Sequence, residues 1–300
     1  MNESDAVLPE LQEARTRFLQ LVAELRPELH RYCARMTGSI ADGEDVVQDT
    51  LARAYYELSA LKELPAMRSW LFRIAHNRAL DSLKRYDRRM GEPLEATEDF
   101  TIDNEAEADA AIAREQVVQA AMSRFLELAP AQRSCVILKD VLDHSLEEIA
   151  ELLGLTLPAV KAALHRGRTR LRDLAQVSPT PARAQPHSAT LVNYAALFNA
   201  RDWDGVRALL LEDVKLDVVS MIRRVGRDQV GTYFTNYSRM RDWRLVPAWL
   251  DGREVLVAFR GGQDAQPAYF IEVTIRGGGV AAIRDFFHVP YIVQEARFEA

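Results

Sequence analysis

The spacing of apolar residues along this chain changes at a segment rich in proline and serine, residues 177–188. Before that segment, apolar side chains recur every three or four residues, which is the repeat of amphipathic helices. After residue 190, one helical stretch gives way to shorter segments in which apolar and polar residues alternate, separated by turns that contain glycine. We therefore expect an all-helical N-terminal part and an α+β C-terminal part, in which helices pack on a curved antiparallel sheet.

The chain is acidic overall, with 44 Asp and Glu against 38 Lys and Arg and a net charge of −6. This balance argues against a protein that coats DNA, but nucleic-acid binding depends more on how the charge is distributed. Eight acidic residues and no basic one lie in residues 92–113, a composition typical of a solvated tether. The positive charge is concentrated in two stretches, residues 68–89 and 157–174.

The two cysteines, Cys33 and Cys135, lie far apart, each within an apolar helical pattern. Without a Cys/His cluster they indicate buried core residues rather than a zinc site, so we expect neither a metal nor a cofactor. The chain does not begin with a basic stretch followed by an apolar one, and it has no run of about 18 apolar residues. These features predict a cytoplasmic protein that does not enter the membrane.

Residues 145–174 have the pattern of a helix-turn-helix. Ser145 and Glu148 form a capping box, a turn containing Gly154 follows, and Pro158 suits the first turn of a second helix, which is strongly basic. An amphipathic helix with a solvated basic face is the alternative, but the preceding helix and turn favour DNA binding. The residues expected to face solvent or a major groove are Ala159, Lys161, Ala162, His165, Arg166 and Arg168.

Two earlier segments carry opposite charge. Residues 68–89 hold seven basic and two acidic side chains beside an apolar face that includes Trp70, which we expect in the core. In the preceding helical segment, Gln48 and Asp49 follow Asp45 by three and four positions and form a polar, acidic stripe with it. An ordinary solvated face is the alternative in both cases. A basic face suits nucleic acid, whereas an acidic stripe suits a basic partner.

Residues 145–174, "SLEEIAELLGLTLPAVKAALHRGRTRLRDL", resemble region 4 of the extracytoplasmic-function sigma factors, which reads the promoter −35 element. Residues 42–58 resemble region 2.2, which contacts RNA polymerase, and residues 68–89 resemble regions 2.3 and 2.4, which read and melt the −10 element. The resemblance implies that the six groove-facing residues above contact −35 DNA and that Asp45, Gln48 and Asp49 contact the polymerase. The residues it implies at the −10 element are Arg73, Asn77, Arg78, Asp81, Lys84 and Arg85.

This resemblance implies two partners, promoter DNA and core RNA polymerase, the latter through its β′ clamp and β flap. The chain departs from the family at Gly167, where an alanine is usual. Because glycine inside a helix costs about 1 kcal/mol relative to alanine, we expect a softer helix there. We expect Gly167→Ala to stiffen the helix and to strengthen −35 binding or leave it unchanged. The acidic residues around the two basic helices are expected to weaken DNA binding by the protein alone.

The C-terminal part resembles SnoaL-like domains, which have a cone-shaped fold. Asn199, Asp202 and Trp203 match the turn of that family, and residues 226–234 match the helix after its first strand. Some members are cyclases or isomerases with an Asp or His base, and the cone commonly encloses an apolar pocket. The corresponding candidates here are Asp217, Asp285 and His288, with Tyr233, Tyr269 and Trp249 as lining residues.

Asp285 and His288 differ by three positions, so in a regular strand they point to opposite faces. That spacing argues against an acid–base pair, and we predict no catalytic residue. We expect this domain to act as a contact module or ligand sensor that tunes sigma activity through contact with the sigma domains. The predicted division is 10–90 for region 2, 91–113 for the acidic linker, 114–175 for region 4, 176–189 for the Pro-rich linker and 190–300 for the SnoaL-like domain.

The alternative function is a SnoaL-like ligand-binding or cyclase-type protein fused to a DNA-binding regulator that works without polymerase. Residues 68–89 discriminate between the two, because a simple regulator needs no second basic helix for melting DNA.

Overall fold

The computed structural model describes residues 3–58, 67–90, 122–176, 186–240, 242–262 and 265–299, with most of their side chains from Thr16 onward. The chain divides into two compact units, Met1–Ser178 and Pro179–Ala300. The predicted acidic linker, 91–113, and most of the predicted Pro-rich linker, 176–189, lie outside the described residues. No helix in the described ranges is long and apolar enough to cross a membrane.

The described residues of the first half of the N-terminal unit form three helices: α1 (Glu3–Thr37), α2 (Ile40–Leu58) and α3 (Met67–Met90). After α1, Gly38 takes a φ of +73°, which lets the chain turn directly into α2. The apolar repeat places Leu29 and Val47 in a common core with the apolar face of α3. Trp70 belongs to this core, as predicted.

Within residues 122–176, the described part of the second half, there are three helices and two turns of other helical types: Met122–Glu127 (3-10), α4 (Pro130–Val136), Ile137–Val141 (π), α5 (Leu146–Leu153) and α6 (Leu157–Gln176). The Ser145 hydroxyl accepts a hydrogen bond from the Glu148 amide at 3.1 Å, and the Glu148 carboxylate accepts one from the Ser145 amide at 2.7 Å. Gly154 ends α5 with a φ of +67°. The predicted helix-turn-helix, from the capping box to the basic helix, is confirmed.

The two halves of the N-terminal unit share one apolar core. Polar groups are buried with it: the Arg133 guanidinium on α4 donates to the Met36 carbonyl at the end of α1, at 2.6 Å. The Tyr32 hydroxyl lies 2.7 Å from His76 Nδ1 on α3 and 3.2 Å from Ser134 Oγ on α4. Because buried polar groups are costly unless they are hydrogen-bonded, these contacts tie the helix-turn-helix to the first three helices in a defined arrangement.

The C-terminal unit combines helices with a six-stranded sheet. Its helices are α7 (Ala189–Asn199), α8 (Trp203–Ala208), α9 (Arg227–Gly231) and α10 (Tyr233–Ser238), with a 3-10 turn at Pro290–Glu295. Its strands are β1 (Leu210–Val218), β2 (Ile222–Val225), β3 (Trp243–Leu250), β4 (Arg253–Arg260), β5 (Pro267–Arg276) and β6 (Gly279–Asp285).

The strands lie in the order β2-β1-β6-β5-β4-β3. The predicted α+β fold is confirmed, but the sheet is mixed, because β1 runs parallel to β6 while all other neighbours are antiparallel. The alternating segments predicted five strands and missed β2. All four residues of β2 are exposed, so it lacks the buried face that produces an alternating pattern.

The turn between α7 and α8 fastens the helices to the sheet. The Asn199 side chain donates to the Leu245 carbonyl and accepts from the Leu245 amide of β3, both at 2.8 Å. Asp202 caps α8 by accepting from the Gly205 amide at 2.9 Å. Two of the three residues that resemble the SnoaL-like turn therefore have structural roles, which bring the helices over one face of the sheet.

Candidate nucleic-acid interface and C-terminal cavity

The predicted −10 residues lie on the outer side of α3. Its inner side is buried against the core through residues such as Leu71, Phe72 and Ala75. Five of the six predicted residues are exposed, and Arg78 is half-buried. The exposed residues are Arg73, Asn77, Asp81, Lys84 and Arg85. Four cationic side chains along one accessible helix face are suited to track a phosphate backbone.

The predicted polymerase contacts lie on α2. Asp45 and Asp49 are exposed one helical turn apart, and Gln48 is half-buried between them. The neighbouring Glu44 has no exposed surface and pairs with Arg26 at 2.5 Å, so it belongs to the interior of the helical bundle. The accessible acidic stripe thus consists of Asp45 and Asp49, and an acidic pair of this kind favours a basic surface on a partner.

Three of the six residues predicted to face −35 DNA do not face solvent in this structure. Ala159 and Ala162 are buried, with 9% and 7% of their surfaces exposed. Arg168 forms a bidentate ion pair with Asp140, at 2.9 Å from Nε to Oδ2 and 2.5 Å from Nη2 to Oδ1. The prediction of solvent-facing side chains is wrong for these three, because the buried side of α6 is wider than its leucine and valine pattern suggested.

The other three predicted −35 residues are accessible to different degrees. Lys161 is exposed, whereas His165 and Arg166 are half-buried. Arg170, which lies further along α6, is also exposed and pairs loosely with Glu127 at 3.5 Å. Among the described residues of α6, Lys161 and Arg170 are therefore the exposed cationic side chains in this arrangement.

Gly167 has a packing role that the sequence did not reveal. It is buried, and a Cβ atom built on it would lie 2.6 Å from Val136 Cγ2 and 3.3 Å from the Gln132 carbonyl oxygen of α4. Glycine is therefore needed for the close approach of α4 and α6. This contradicts the expectation that Gly167 only softens the helix, whereas the effect of Gly167→Ala on −35 binding stays a prediction.

Asp140 forms a buried ion pair in this unit that sequence reasoning missed. Its carboxylate is 1% exposed and is neutralised by Arg168, which lies 28 positions later in the chain. The position of this aspartate inside the apolar run "CVILKDVL" indicates that it is buried. A buried charge requires a partner. Its partner was not recognisable, because no helical spacing relates residues on two different helices.

In the C-terminal unit, Asp285 lies at the end of β6 with 1% of its surface exposed. Its Oδ2 accepts hydrogen bonds from the hydroxyls of Tyr233 and of Tyr237, the latter at 2.7 Å, and its Oδ1 accepts one from the Phe287 amide at 2.8 Å. The Tyr269 hydroxyl lies 2.7 Å from that of Tyr237. Burial raises the pKa of Asp285, and hydrogen bonds from the two tyrosines oppose this rise.

This network forms part of the lining of a cavity of about 860 Å³. Apolar walls are provided by Leu216, Val218, Met221, Ile222, Met240 and Phe287. The lining also includes two exposed arginines, Arg224 and Arg239, and the exposed imidazole of His288. Asp285 is the one acidic residue in the lining, so the cavity has a polar, mainly hydroxyl floor and a positively charged rim.

The sequence-based candidates for this domain divide into two groups. Tyr233, Asp285 and His288 line the cavity, and Tyr269 bonds to its floor through Tyr237. The prediction that Asp285 and His288 face opposite ways is wrong, because β6 ends at Asp285 and the chain turns before His288.

Asp217 and Trp249 lie outside the cavity. Asp217 pairs with Arg223 at 3.4 Å, and Trp249 stacks on the ring of His187 with 5.5 Å between centroids. Neither of them therefore lines this cavity.

The cysteines are as predicted: Cys33 and Cys135 are buried and unpaired with each other, and burial raises the pKa of both thiols. Across the described residues, no group of three or more His, Cys, Asp or Glu side chains is arranged to hold a metal ion.

The N-terminal unit thus has the structure of a DNA-binding transcription protein, with a helix-turn-helix and a second basic helix. Two family models match it: Sigma-70 region 2 at residues 21–89 and Sigma-70 region 4 at residues 119–171. The ECF RNA polymerase sigma factor SigW of Bacillus subtilis is 30% identical over 162 residues, which cover 52% of this chain and 87% of SigW. The chain belongs to the extracytoplasmic-function RNA polymerase sigma factors.

A second relative is the ECF RNA polymerase sigma factor SigG of Mycobacterium tuberculosis, which is 33% identical over 204 residues. The match covers 60% of this chain and 55% of SigG, so the chain spans about half the length of that relative. The solved structure of the sigma factor SigJ of Mycobacterium tuberculosis is similar over 89% of this chain and 95% of that one, with 24% identity and a TM-score of 0.36.

The C-terminal part by itself is also similar to solved structures. One is a candidate polyketide cyclase from Pseudomonas putida, with 19% identity over 36% of this chain and 96% of that one, and a TM-score of 0.26.

Proposed function

We propose that this protein directs core RNA polymerase to specific promoters and initiates transcription there, and that its C-terminal domain tunes this activity. The observation that carries the proposal is the match of regions 2 and 4, in order, on a unit whose α3 presents an accessible cationic face. In this function the chain is a cytoplasmic initiation factor rather than an enzyme.

Specific surfaces follow from the exposed side chains. Asp45 and Asp49 of α2 contact the β′ clamp, where two carboxylates one turn apart meet basic groups. The cationic face of α3 follows the −10 strand, with Asn77 and Asp81 beside the bases. Region 4 contacts the β flap and reads the −35 element from α6, beginning with Lys161.

Binding both promoter elements requires the two halves of the N-terminal unit to separate. The −10 and −35 elements lie about 25 base pairs apart, or roughly 85 Å at 3.4 Å per base pair. Helices that share one core do not reach over that distance. The roughly 30 residues between Met90 and Met122 can extend to about 100 Å, which is enough to join two separated halves.

Separation also changes which region 4 side chains are available. It breaks the buried bonds of Arg133 to Met36 and of Tyr32 to Ser134, and it exposes the apolar core between the halves. Polymerase surfaces therefore have to cover that core in the initiating complex. We infer that the compact arrangement is a resting state that the enzyme opens.

The test is run-off transcription with the full chain, core polymerase and fragmented genomic DNA from the same organism. We expect discrete transcripts that depend on the protein. The variant Arg73→Ala/Lys84→Ala should reduce their yield and lower the salt dependence of promoter binding by about one phosphate contact per side chain. The matched control is Arg53→Ala, which removes an exposed cation of α2 that pairs with Glu57.

Two results would contradict the proposal. One is tight binding of promoter duplex by the protein alone without transcripts, which favours the alternative of a regulator that works without polymerase. The other is an equal loss of yield in the α3 variant and in the Arg53→Ala control.

A further inference from the structure

The six-stranded sheet of the C-terminal unit ends in two edge strands, β2 and β3, which differ in how they are protected. Pro247 lies within β3, and the amide and carbonyl of Trp249 bond to the backbone of Glu299, at 2.7 and 2.9 Å. A proline and a covering segment are two common means of keeping another chain from pairing with an edge strand. β2 has neither, because it contains no proline and, among the described residues, pairs with β1 alone.

The register of β2 on β1 shows which backbone groups of β2 face the open edge. The Gly226 amide donates to the Val214 carbonyl at 2.8 Å, and the register continues along β2 without a shift. Because bonded and non-bonded pairs alternate along an antiparallel ladder, Arg224 bonds to β1, whereas the N–H and C=O groups of Arg223 and Val225 point away from it. The Arg223 carbonyl accepts a long bond, at 3.4 Å, from the Arg224 guanidinium. Two residues of β2 therefore offer backbone donors and acceptors to an added strand.

The side chains of the same segment form an apolar patch interrupted by charge. Nine large apolar side chains are exposed among the described residues, and three of them, Met221, Ile222 and Val225, lie within five consecutive positions. Exposed apolar side chains that lie together are typical of interaction sites. Ile222 and Arg224 point to the cavity side of the sheet, so Arg223 and Val225 point to the other side. Each side of β2 thus presents one apolar and one cationic residue.

The charge of this edge favours an acidic partner. The Arg223 side chain is mostly exposed, and its pair with Asp217 is loose at 3.4 Å. Arg224 is exposed and has no carboxylate partner among the described residues. Lys215, the exposed neighbour of Val225 on β1, adds a third positive charge. Opposite charges on neighbouring strands contribute about 0.2–1 kcal/mol for each pair, so acidic residues on an added strand stabilise the pairing.

A second copy of this chain and a nucleic acid fit the edge less well than an acidic peptide. In the antiparallel register that pairs all four residues of β2 with a second β2, Arg223 lies opposite Arg224 of the second copy, and like charges in that position are destabilising. A nucleic acid provides phosphates for the arginines but covers neither the exposed apolar side chains nor the edge amides. An extended acidic peptide satisfies the charges, the apolar side chains and the backbone groups together.

We propose that β2 is a docking edge at which an extended acidic segment of a partner protein adds a strand to the sheet. Two consecutive acidic residues of that segment lie opposite Arg223 and Arg224, and apolar residues on either side of them lie opposite Ile222 and Val225. Docking at this edge is independent of the proposed sigma function. Only an effect of docking on transcription rests on that function.

The binding test measures fluorescence anisotropy of a fluorescein-labelled peptide, STVEEITS, titrated with the full chain. Two further versions carry backbone N-methyl groups at alternate residues, one on the valine and the second glutamate, the other on the first glutamate and the isoleucine. Alternate amides of an added strand face β2. We therefore expect one methylated peptide to bind about 10-fold more weakly, as the loss of two hydrogen bonds implies, and the other to bind like STVEEITS.

Variants locate the edge. Arg223→Glu/Arg224→Glu should lose STVEEITS and bind the basic peptide STVKKITS, which the wild-type protein should not bind. Val225→Pro removes an N–H that faces the edge and is not bonded to β1, so the fold should be retained while binding of STVEEITS falls about 10-fold. The matched control is Arg260→Glu/Arg276→Glu, which reverses two exposed arginines elsewhere on the sheet with the same change in net charge. This control should bind STVEEITS like the wild-type protein.

Thermal unfolding of each variant confirms that it is folded before titration. The docking edge is refuted if STVEEITS does not bind saturably, if both methylated peptides bind alike, or if the two double variants bind STVEEITS equally well.

Two further results would assign the edge to another occupant and overturn the proposal. One is competition by single-stranded oligothymidylate at the same affinity as STVEEITS, which indicates a nucleic-acid site. The other is a dimer in sedimentation equilibrium that Val225→Pro abolishes, which indicates a second copy of the chain. A protein that binds STVEEITS at this edge but never starts transcripts refutes the sigma function alone.

Discussion

In the described part of each unit, one aspartate is buried with 1% of its surface exposed. The two units compensate the buried carboxyl group in different ways. Asp140 is held by the guanidinium of Arg168, which is itself about four-fifths buried. Asp285 is held by tyrosine hydroxyls and a backbone amide on the wall of a cavity. A buried ion pair tolerates little change, because the removal of one partner leaves a charge in the interior, whereas a hydroxyl network can redistribute its protons.

This comparison assigns a structural role to the first aspartate and places the second on the wall of a cavity. It also explains why Arg168 is a poor candidate for DNA contact in the compact arrangement. Its charge is already neutralised by Asp140. A phosphate group that approaches therefore meets an ion pair with no net charge, and not the positive charge of Arg168 alone.

The largest effect is expected from Arg168→Ala. Removal of the guanidinium leaves Asp140 buried without its ion-pair partner, which should lower the free energy of unfolding of the N-terminal unit by about 3–5 kcal/mol. Chemical denaturation of the full chain, followed by far-UV circular dichroism, measures this loss. The control is Arg170→Ala, whose pair with Glu127 is about half exposed and should be worth less than about 1 kcal/mol. Equal losses in the two variants would refute the distinction.

Acid should weaken the contact between the two halves of the N-terminal unit through His76. Burial lowers the pKa of His76 from 6.5 to about 4. The unfolded chain therefore binds this proton at a higher pH than the folded chain, so stability is fully present above about pH 6.5 and is lost as the pH falls towards 4. The loss should amount to at most about 3 kcal/mol.

Thermal unfolding between pH 7 and pH 4 tests this expectation. The variant His76→Gln should show a smaller decrease than the wild-type protein, because the carboxylates that also titrate in this range are common to both. A decrease of the same size would show that His76 does not couple stability to pH.

Gly167→Ala should destabilise the N-terminal unit by about 1–2 kcal/mol. Overpacking against Val136 usually costs 1–3 kcal/mol, which exceeds the gain of about 1 kcal/mol that alanine brings to a helix. Denaturation of Gly167→Ala and of Gly167→Ala/Val136→Ala measures both terms. The added methyl group should lower the free energy of unfolding less in the double variant, because the Val136 methyl group that it would meet is removed. If the single variant were more stable than the wild-type protein, helix propensity would outweigh overpacking.

The smallest effect is expected from Asp285→Asn. The amide fills the same space, and the tyrosine hydroxyls can rotate to accept its N–H groups, so the unfolding free energy should change by less than about 1 kcal/mol. Denaturation of this variant beside Asp140→Asn tests the comparison directly. The Asp140 change leaves Arg168 without its anionic partner and should cost clearly more. Equal losses of stability in the two variants would show that the two buried carboxyl groups are not compensated in different ways.

Much of the fold was predictable from local patterns. The capping box at Ser145, the turn at Gly154 and the apolar repeat of α2 and α3 are set by residues that are close together in the chain, and all were confirmed. The accessible face of α3 followed from the same repeat. In contrast, β2 was missed because it has no buried face, and the prediction for the exposed face of region 4 was partly wrong because Ala159 and Ala162 are buried.

The sequence by itself determined the class of most elements, the order of the two sigma regions and the concentration of positive charge on two helices. These properties depend on spacing and charge within a single segment. The tertiary structure alone decided that Arg168 pairs with Asp140, that Gly167 gives room to Val136, and that Tyr233 and Tyr237 converge on Asp285. Each of those contacts joins positions that are distant in the chain, and no local periodicity encodes which distant side chains meet.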